Sequence, residues 1–335
     1  MKRAFLLIVM LLVAITVRAE QFEDTVHKSF PVNGGGKLTL DADIGNVEIM
    51  TDASNTVQVD VYRRVDTHDK AEADKIFQDF SLEAKQTGNN IDLRGIFQDG
   101  WRSGWSGNYC RNGECLWYGK KLKVHRYQIH LPKTFSVEVG TGAGDIYVGD
   151  LQSVDLNTSG GDIRVGQIAG EVKANTSGGN IKVLKASRAD VETSGGDIEI
   201  GEVNGDVIAH TSGGGIEIKH GKNVEAETSG GDINLSSVEG TVRADTSGGS
   251  IEAHLRQQPN GDCRLETSAG EVMVYLPKTA KMNIDATTDN GEVMVTDFIL
   301  TDSVHREDRL NGAINGGGPR LILRSSSGDI EVRPE

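Results

Sequence analysis

The sequence predicts an all-β, solenoid-like protein built from half-units of 17–18 residues, with one short helix near its N-terminal end. Three observations predict it. A tetrapeptide recurs at near-constant spacing, period-two alternation runs on both sides of it, and aromatic residues make up only 5% of the chain. The tetrapeptide is Thr-Ser-Gly-Gly, starting at Thr158, Thr176, Thr193, Thr211, Thr228 and Thr246, with spacings of 18, 17, 18, 17 and 18. Weaker copies begin at Thr141, Thr267, Thr288 and Ser325. Self-similarity at a fixed period marks a repeat architecture. A core poor in aromatics must be filled by Val, Ile, Leu, Ala and Thr, which suits thin stacked layers.

Within each unit the alternation is that of strands with one face in and one face out. Val172, Ala174 and Thr176 alternate with Lys173 and Asn175, and Ile181 and Val183 alternate with Asn180 and Lys182. The Gly-Gly pair is expected to supply the positive φ of a tight turn. A superperiod overlies the repeat: Asp162, Asp197 and Asp232 follow their glycines at intervals of 35 residues. A coil of 35 residues with two similar halves therefore stands beside coils of 17–18. A Gly-Gly loop is also a hairpin signal, so an antiparallel meander stays open. The near-constant period favours stacking.

The ends depart from the repeat. Lys2 and Arg3, the largely apolar residues 4–17 and the small-residue site at Val17-Arg18-Ala19 read as a signal peptide over residues 1–19. A retained anchor is the rival reading, disfavoured by the shortness of the run. Residues 20–94 keep strand alternation, interrupted at about 67–80 by a helical stripe of Ala73, Ile76, Phe77 and Phe80, suited to capping a solenoid end. Residues 121–297 form the repeat body, 298–319 read as a polar, Gly-rich loop, and 320–335 hold the final strands.

Residues 95–120 form an insertion holding all three tryptophans, Trp101, Trp105 and Trp117, with Tyr109 and Tyr118. Cys110 and Cys115 lie within it, flanking an Asn112-Gly113 turn. In an oxidising compartment they read as a disulfide loop; a zinc site is the weaker alternative, for want of a second pair. Flat aromatic faces there can stack on sugar rings or anchor a protein partner, or they seal the solenoid end as a small core. The remaining Cys263 falls at an inward position and reads as a buried, inert thiol.

The Thr-Ser-Gly-Gly-Asp-Ile units between Thr141 and Ile251 resemble the bacterial β-strand-repeat family of putative adhesins, related to the head GIN domain. Leu131-Pro132-Lys133, repeated as Leu276-Pro277-Lys278, belongs to the same resemblance. It implies a β-solenoid and an envelope location, and it carries no catalytic residues to transfer.

A net charge of −14 disfavours nucleic acid as a partner. After signal removal no apolar run is long enough to span a bilayer. Asp162, Asp197 and Asp232 could bind Ca²⁺ or act as acids and bases, but a carboxylate beside a Gly turn is an ordinary turn feature. His125 and His130 lie five apart in a strand, on opposite faces, and make poor co-ligands. Neither His-Glu-x-x-His nor Gly-x-Ser-x-Gly occurs. No catalytic residue, metal or cofactor is expected. The expectation is a non-enzymatic, exported, adhesin-like envelope protein in the periplasm or at the cell surface. Its partner would be an envelope, cell-surface or glycan component, and self-stacking at an uncapped end near Glu335 would give oligomers. The alternative is a glycan-binding module using Trp101, Trp105, Tyr109, Trp117 and Tyr118, and more distantly a polysaccharide-active β-helix enzyme.

Overall fold

The computed structural model describes the backbone of residues 20–97, 109–111, 114–116 and 122–335, and the side chains of residues 21–97 and 125–335. The signal peptide at 1–19 lies outside the described residues. The described chain is almost entirely strand. One sheet has 14 strands and the other 15, and the two face each other along the molecule.

The repeat winds as a two-sided solenoid. Each coil lays one strand in the second sheet, turns at Thr-Ser-Gly-Gly, lays a strand in the first sheet, and returns. Like residues stack in parallel register: Thr158 pairs with Thr176 and Thr176 with Thr193, while Ile163 pairs with Ile181 and Ile181 with Ile198. This register sets one coil at 17–18 residues. It excludes both the 35-residue coil and the meander.

The superperiod has a different source. Three residues separate successive inward positions at the return in Ile168/Val172, Val203/Val207 and Val238/Val242, alternating with two in Ala186/Ala189 and Gly221/Val224. Stacked strands lie about 4.8 Å apart, so each inward Val, Ile, Leu or Ala meets its counterparts above and below. The result is a narrow core of fully buried aliphatic residues running the length of the molecule.

The winding is not sequential at either end. Strands Lys37–Ala42 and Asn46–Asp52 come first in the repeat, yet they lie inside the stack. Asn90–Phe97 and Leu122–Pro132 cover them on the outer side. At Leu131-Pro132-Lys133 the chain steps over this coil and starts Ser136–Thr141 beyond it. The other end mirrors this. At Leu276-Pro277-Lys278 the chain leaves a coil-wide gap before Met282–Thr288, and the last strands, Arg320–Ser325 and Ile330–Pro334, fill it. Both step turns close on the proline carbonyl, which accepts from Phe135 N–H at 3.1 Å and from Ala280 N–H at 2.8 Å.

Antiparallel elements finish both sheets at the N-terminal end and the second sheet at the C-terminal end, where the first sheet finishes on the short parallel strand Val293–Val295. Thr56–Thr67 and Glu20–Pro31 extend the first sheet, and Phe80–Thr87 extends the second. The expected helix spans Lys70–Gln78, is capped by the Asp69 carboxylate on Ala71 N–H, and buries Ala73 and Ile76. The expected loop at 298–319 is corrected. Leu300–Arg306 and Arg309–Ile314 form a hairpin that extends the second sheet antiparallel to Met282–Thr288. The expected open end near Glu335 is corrected as well, because the coil that carries Glu335 is enclosed by neighbours on both sides.

Candidate functional site

The turn edge holds most of the residues that the repeat singles out, and the structure commits them to joining coils. Each turn threonine is buried, and its hydroxyl donates to a glycine carbonyl of the coil before it in space. Thr176 donates to Gly161, Thr193 to Gly179 and Thr246 to Gly231, at 2.8–2.9 Å. At the C-terminal end the order follows space rather than sequence, with Ser325 donating to Gly270 and Thr288 to Gly328.

The two glycines of the motif do different things. A Cβ on Gly161, Gly179, Gly196 or Gly249 would stand 2.0–2.1 Å from the carbonyl oxygen of the coil below. A Cβ on Gly160 would meet nothing within 4 Å, and on Gly195 nothing nearer than 3.6 Å. None of these glycines has positive φ; in the turns only Gly45 and Gly144 do. The expected left-handed turn is therefore corrected to a close-approach requirement at the second glycine.

The aspartate row is also structural. Asp162 Oδ1 accepts from Asn180 N–H at 2.9 Å, Asp197 Oδ1 from Gly215 N–H at 2.9 Å, and Asp232 Oδ1 from Ser250 N–H at 2.7 Å. Between them Asn180 fills the same role toward Asp197 N–H at 2.7 Å. These carboxylates are spaced along an edge rather than converging, each tied to the next coil. Such an arrangement suits stapling rather than acid–base chemistry. At Gly215 no side chain is available to continue the row. A shallow groove of ≈ 510 Å³ opens there, walled by Asp197, Glu199, Glu217 and Asp232.

Cys263 is buried as expected, and burial pushes its thiol up to about 11. It stays protonated and unreactive at neutral pH.

The aromatic insertion leaves the body at one place. Asn90–Phe97 in the second sheet and Leu122–Pro132 in the first form the outermost parallel coil at the N-terminal end. The segment 98–121 joins them where other coils carry Thr-Ser-Gly-Gly. Trp101, Trp105, Trp117 and Tyr118 lie outside the described residues, as do the side chains of Tyr109, Cys110 and Cys115. The described backbone forms a small hairpin, Tyr109–Arg111 with Glu114–Leu116, in which Cys110 is the register partner of Cys115.

Beneath the two ends of this segment lies a buried cluster that sequence reasoning missed. The His125 ring packs 4.8 Å from Phe80, 5.0 Å from Tyr127 and 5.2 Å from Phe97, centroid to centroid. Burial, reinforced by the Arg63 charge, pushes His125 down to about 3, so it is neutral. Among the described residues neither its ring nitrogens nor the Tyr127 hydroxyl has a hydrogen-bond partner. Burial likewise raises the Tyr127 phenol. Arg63 enters from the side, pairs with Asp24, donates to the Phe77 carbonyl at 2.7 Å and lies 4.8 Å over the Phe80 ring. The signal was present in the sequence. Arg63 sits in register with Val57, Val59, Val61 and Val65, and His125 with Tyr127, Ile129 and Leu131, so alternation points them all inward. As expected, His130 faces away from His125: it is half-exposed where His125 is buried.

A family model described as Toastrack DUF4097 matches residues 36–228 and 215–333. No curated protein matches the chain. Among solved structures, a putative cell adhesion protein from Clostridium sporogenes is 15% identical, with 94% of this chain and 100% of that one covered and a TM-score of 0.27. A putative lipid binding protein from Parabacteroides distasonis is 13% identical, with 92% and 96% covered and a TM-score of 0.42. A putative adhesin from Parabacteroides merdae is 11% identical, with 93% and 96% covered and a TM-score of 0.40.

Proposed function

This chain belongs to the Toastrack DUF4097 family, and we propose that it serves as a non-enzymatic, adhesin-like interaction scaffold, exported to the cell envelope. One observation carries this reading. The polar side chains of the turn edge are consumed in coil-to-coil bonds, while the one large insertion rich in Trp, Tyr and Cys leaves that same edge at the terminal coil. A stapled rod of this kind holds the two points where the segment joins it, Phe97 and Leu122, at a fixed place without using its own turns for chemistry. The partner is a component of the envelope or of another cell's surface, met through residues 98–121.

Two measurements test it. Intact cells treated with an external protease should lose the protein; protection until the periplasm is released would move the partner to the inside of the envelope. Replacing 98–121 by a Gly-Ser linker should abolish crosslinking to the partner while the melting curve of the body is kept. Crosslinking that persists in the replaced protein would sink the assignment to this segment.

A second reading, glycan binding, is favoured by the three tryptophans gathered in the same segment. Sugar rings stack on such faces. Tryptophan fluorescence should then be quenched by a cognate glycan, and Trp105→Ala should remove the effect. No quenching across a broad glycan panel would exclude it.

A further inference from the structure

The outer face of the second sheet, on the strands that precede the Thr-Ser-Gly-Gly turns, carries a grouping outside the site described above. Strand Val207–His210 places His210 outward in its last position. Strand Val224–Glu227, stacked on it, places Glu227 in register with His210. Glu225, two residues earlier on that strand, shares the face. All three are half-buried, and one ligand atom from each lies within 4.8 Å of the others.

The hydrogen bonding of this group is incomplete in one direction. His210 Nε2 is shielded from solvent and has no hydrogen-bond partner among the described residues. It faces Glu227 Oε2 at 4.0 Å, too far for a hydrogen bond. Two donors each about 2.1 Å from a shared ion lie roughly 3–4 Å apart, so that gap has the width of a coordinated cation. Arg243 contacts the group from the next strand, on Glu227 through the oxygen that does not face His210: its Nε is 3.3 Å from Glu227 Oε1 and 3.5 Å from Glu225 Oε1. It fixes both carboxylates and leaves Glu227 Oε2 turned toward the imidazole. Supporting partners on the far oxygen are the usual companions of metal-binding carboxylates. The same row continues with Glu192 on one side of His210 and Asp245 on the other side of Glu227, which keeps the local field negative.

We propose that His210, Glu225 and Glu227 form a surface site for a divalent transition metal. One imidazole with two carboxylates suits zinc best among the common ions, and calcium and magnesium, which prefer all-oxygen sets, poorly. The remaining coordination positions face solvent. The site is therefore open to water or to a donor group from a partner, and an ion held there could bridge this sheet face to a second molecule. The site stands independently of the 98–121 segment.

The test is calorimetric titration of Zn²⁺ alone into the purified chain, with Co²⁺ absorption as a report on the donor atoms. The expected result is one ion bound, with a Co²⁺ spectrum free of a thiolate charge-transfer band. His210→Ala and Glu227→Gln should each weaken binding by about tenfold or more. Glu192→Gln removes a neighbouring charge without removing a ligand, and should change affinity by no more than about threefold. His210 and Glu227 are half-buried and Glu192 is exposed, and unchanged melting curves in the absence of metal will confirm that the variants fold. Three results would overturn the proposal: no binding at millimolar Zn²⁺, equal weakening by Glu192→Gln and Glu227→Gln, or a thiolate band that survives His210→Ala and so places the ion on cysteine.

Discussion

At the scale of single residues, the motif divides into positions that differ sharply in tolerance. Gly196 lies against the Gly179 carbonyl, where a Cβ would stand at 2.1 Å, whereas a Cβ on Gly195 would find ordinary contact at 3.6 Å. Gly196→Ala should destabilise by about 1–3 kcal/mol through overpacking against backbone, and Gly195→Ala should be close to neutral. Chemical denaturation of the pair decides it, and equal effects would refute the close-approach account. The sequence already hinted at this: Ala143, Ala269, Ser327 and Asn290 occupy the first-glycine slot, while Gly144, Gly270, Gly328 and Gly291 keep the second. Thr193→Val removes a buried donor to the Gly179 carbonyl and should cost about 1–3 kcal/mol. His125 gives a pH dependence of definite sign. Its folded pKa of about 3 lies below the ordinary imidazole value of 6.5. The unfolded chain therefore binds the proton first, and this contribution is whole above about pH 6.5 and is lost as pH falls toward 3. Between pH 6.5 and pH 5 the loss is about 2 kcal/mol, in a window mostly above carboxylate titration. Among the described residues Arg63 and Tyr127 are the polar groups facing the ring, and neither titrates there. His125→Phe should flatten the melting temperature across that window; an unchanged slope would assign it to other groups. A sequence reading that pairs His125 only with His130 and passes over Arg63 misses this cluster, although their register with Val61 and Ile129 is legible.

At the scale of elements, the strands of the repeat were legible because one face is buried in every coil, and burial enforces alternation. The hairpin at 300–314 was not, and the reason is physical. Every residue of Leu300–Arg306 is exposed or half-exposed, so no apolar period marks it, and the neighbouring glycines suggest a loop. Strand order was equally hidden. Leu131-Pro132-Lys133 and Leu276-Pro277-Lys278 were visible as a recurrence, but only the pairing shows that both mark a step across one coil. That step makes the C-terminal strands an internal layer. Ending the chain after Pro319 would strip partners from both neighbours, leaving Cys263–Thr267 and Val272–Leu276 with a parallel strand on one side only, and Met282–Thr288 and Val293–Val295 with none. Coils interact only with their neighbours, so hydrogen exchange should show protection lost over 263–314 and kept over 153–238. Loss confined to 300–314 would mean that the last strands are not structurally internal.

At the scale of the whole molecule, a parallel solenoid faces a problem that its own regularity creates. Every coil is a template for the next, so a bare terminal coil invites a second molecule to continue the stack. Among the described strands the structure answers with antiparallel strands at three of the four sheet edges, which break the register a further coil would need; the fourth, in the first sheet at the C-terminal end, is the three-residue parallel strand Val293–Val295. At the C-terminal end the guard is the 300–314 hairpin. Its outer strand carries a register shift between Thr301 and Val304, with Asp302 at positive φ, and irregular edges of this kind resist pairing. The formal charge of −14 adds repulsion between copies, but screening limits its reach to about 8 Å at physiological salt. Charge alone therefore does not protect an edge once two molecules touch, and the hairpin should be the decisive device. Joining Phe298 to Asn315 through a short linker removes the hairpin and bares Met282–Thr288, a regular strand whose inward residues Met282, Ile284 and Ala286 are fully buried. The shortened protein should self-associate in light scattering at concentrations where the parent does not, and added salt should increase the association by screening the repulsion. If the parent and the shortened chain scatter alike at both salt levels, edge protection lies elsewhere in the fold.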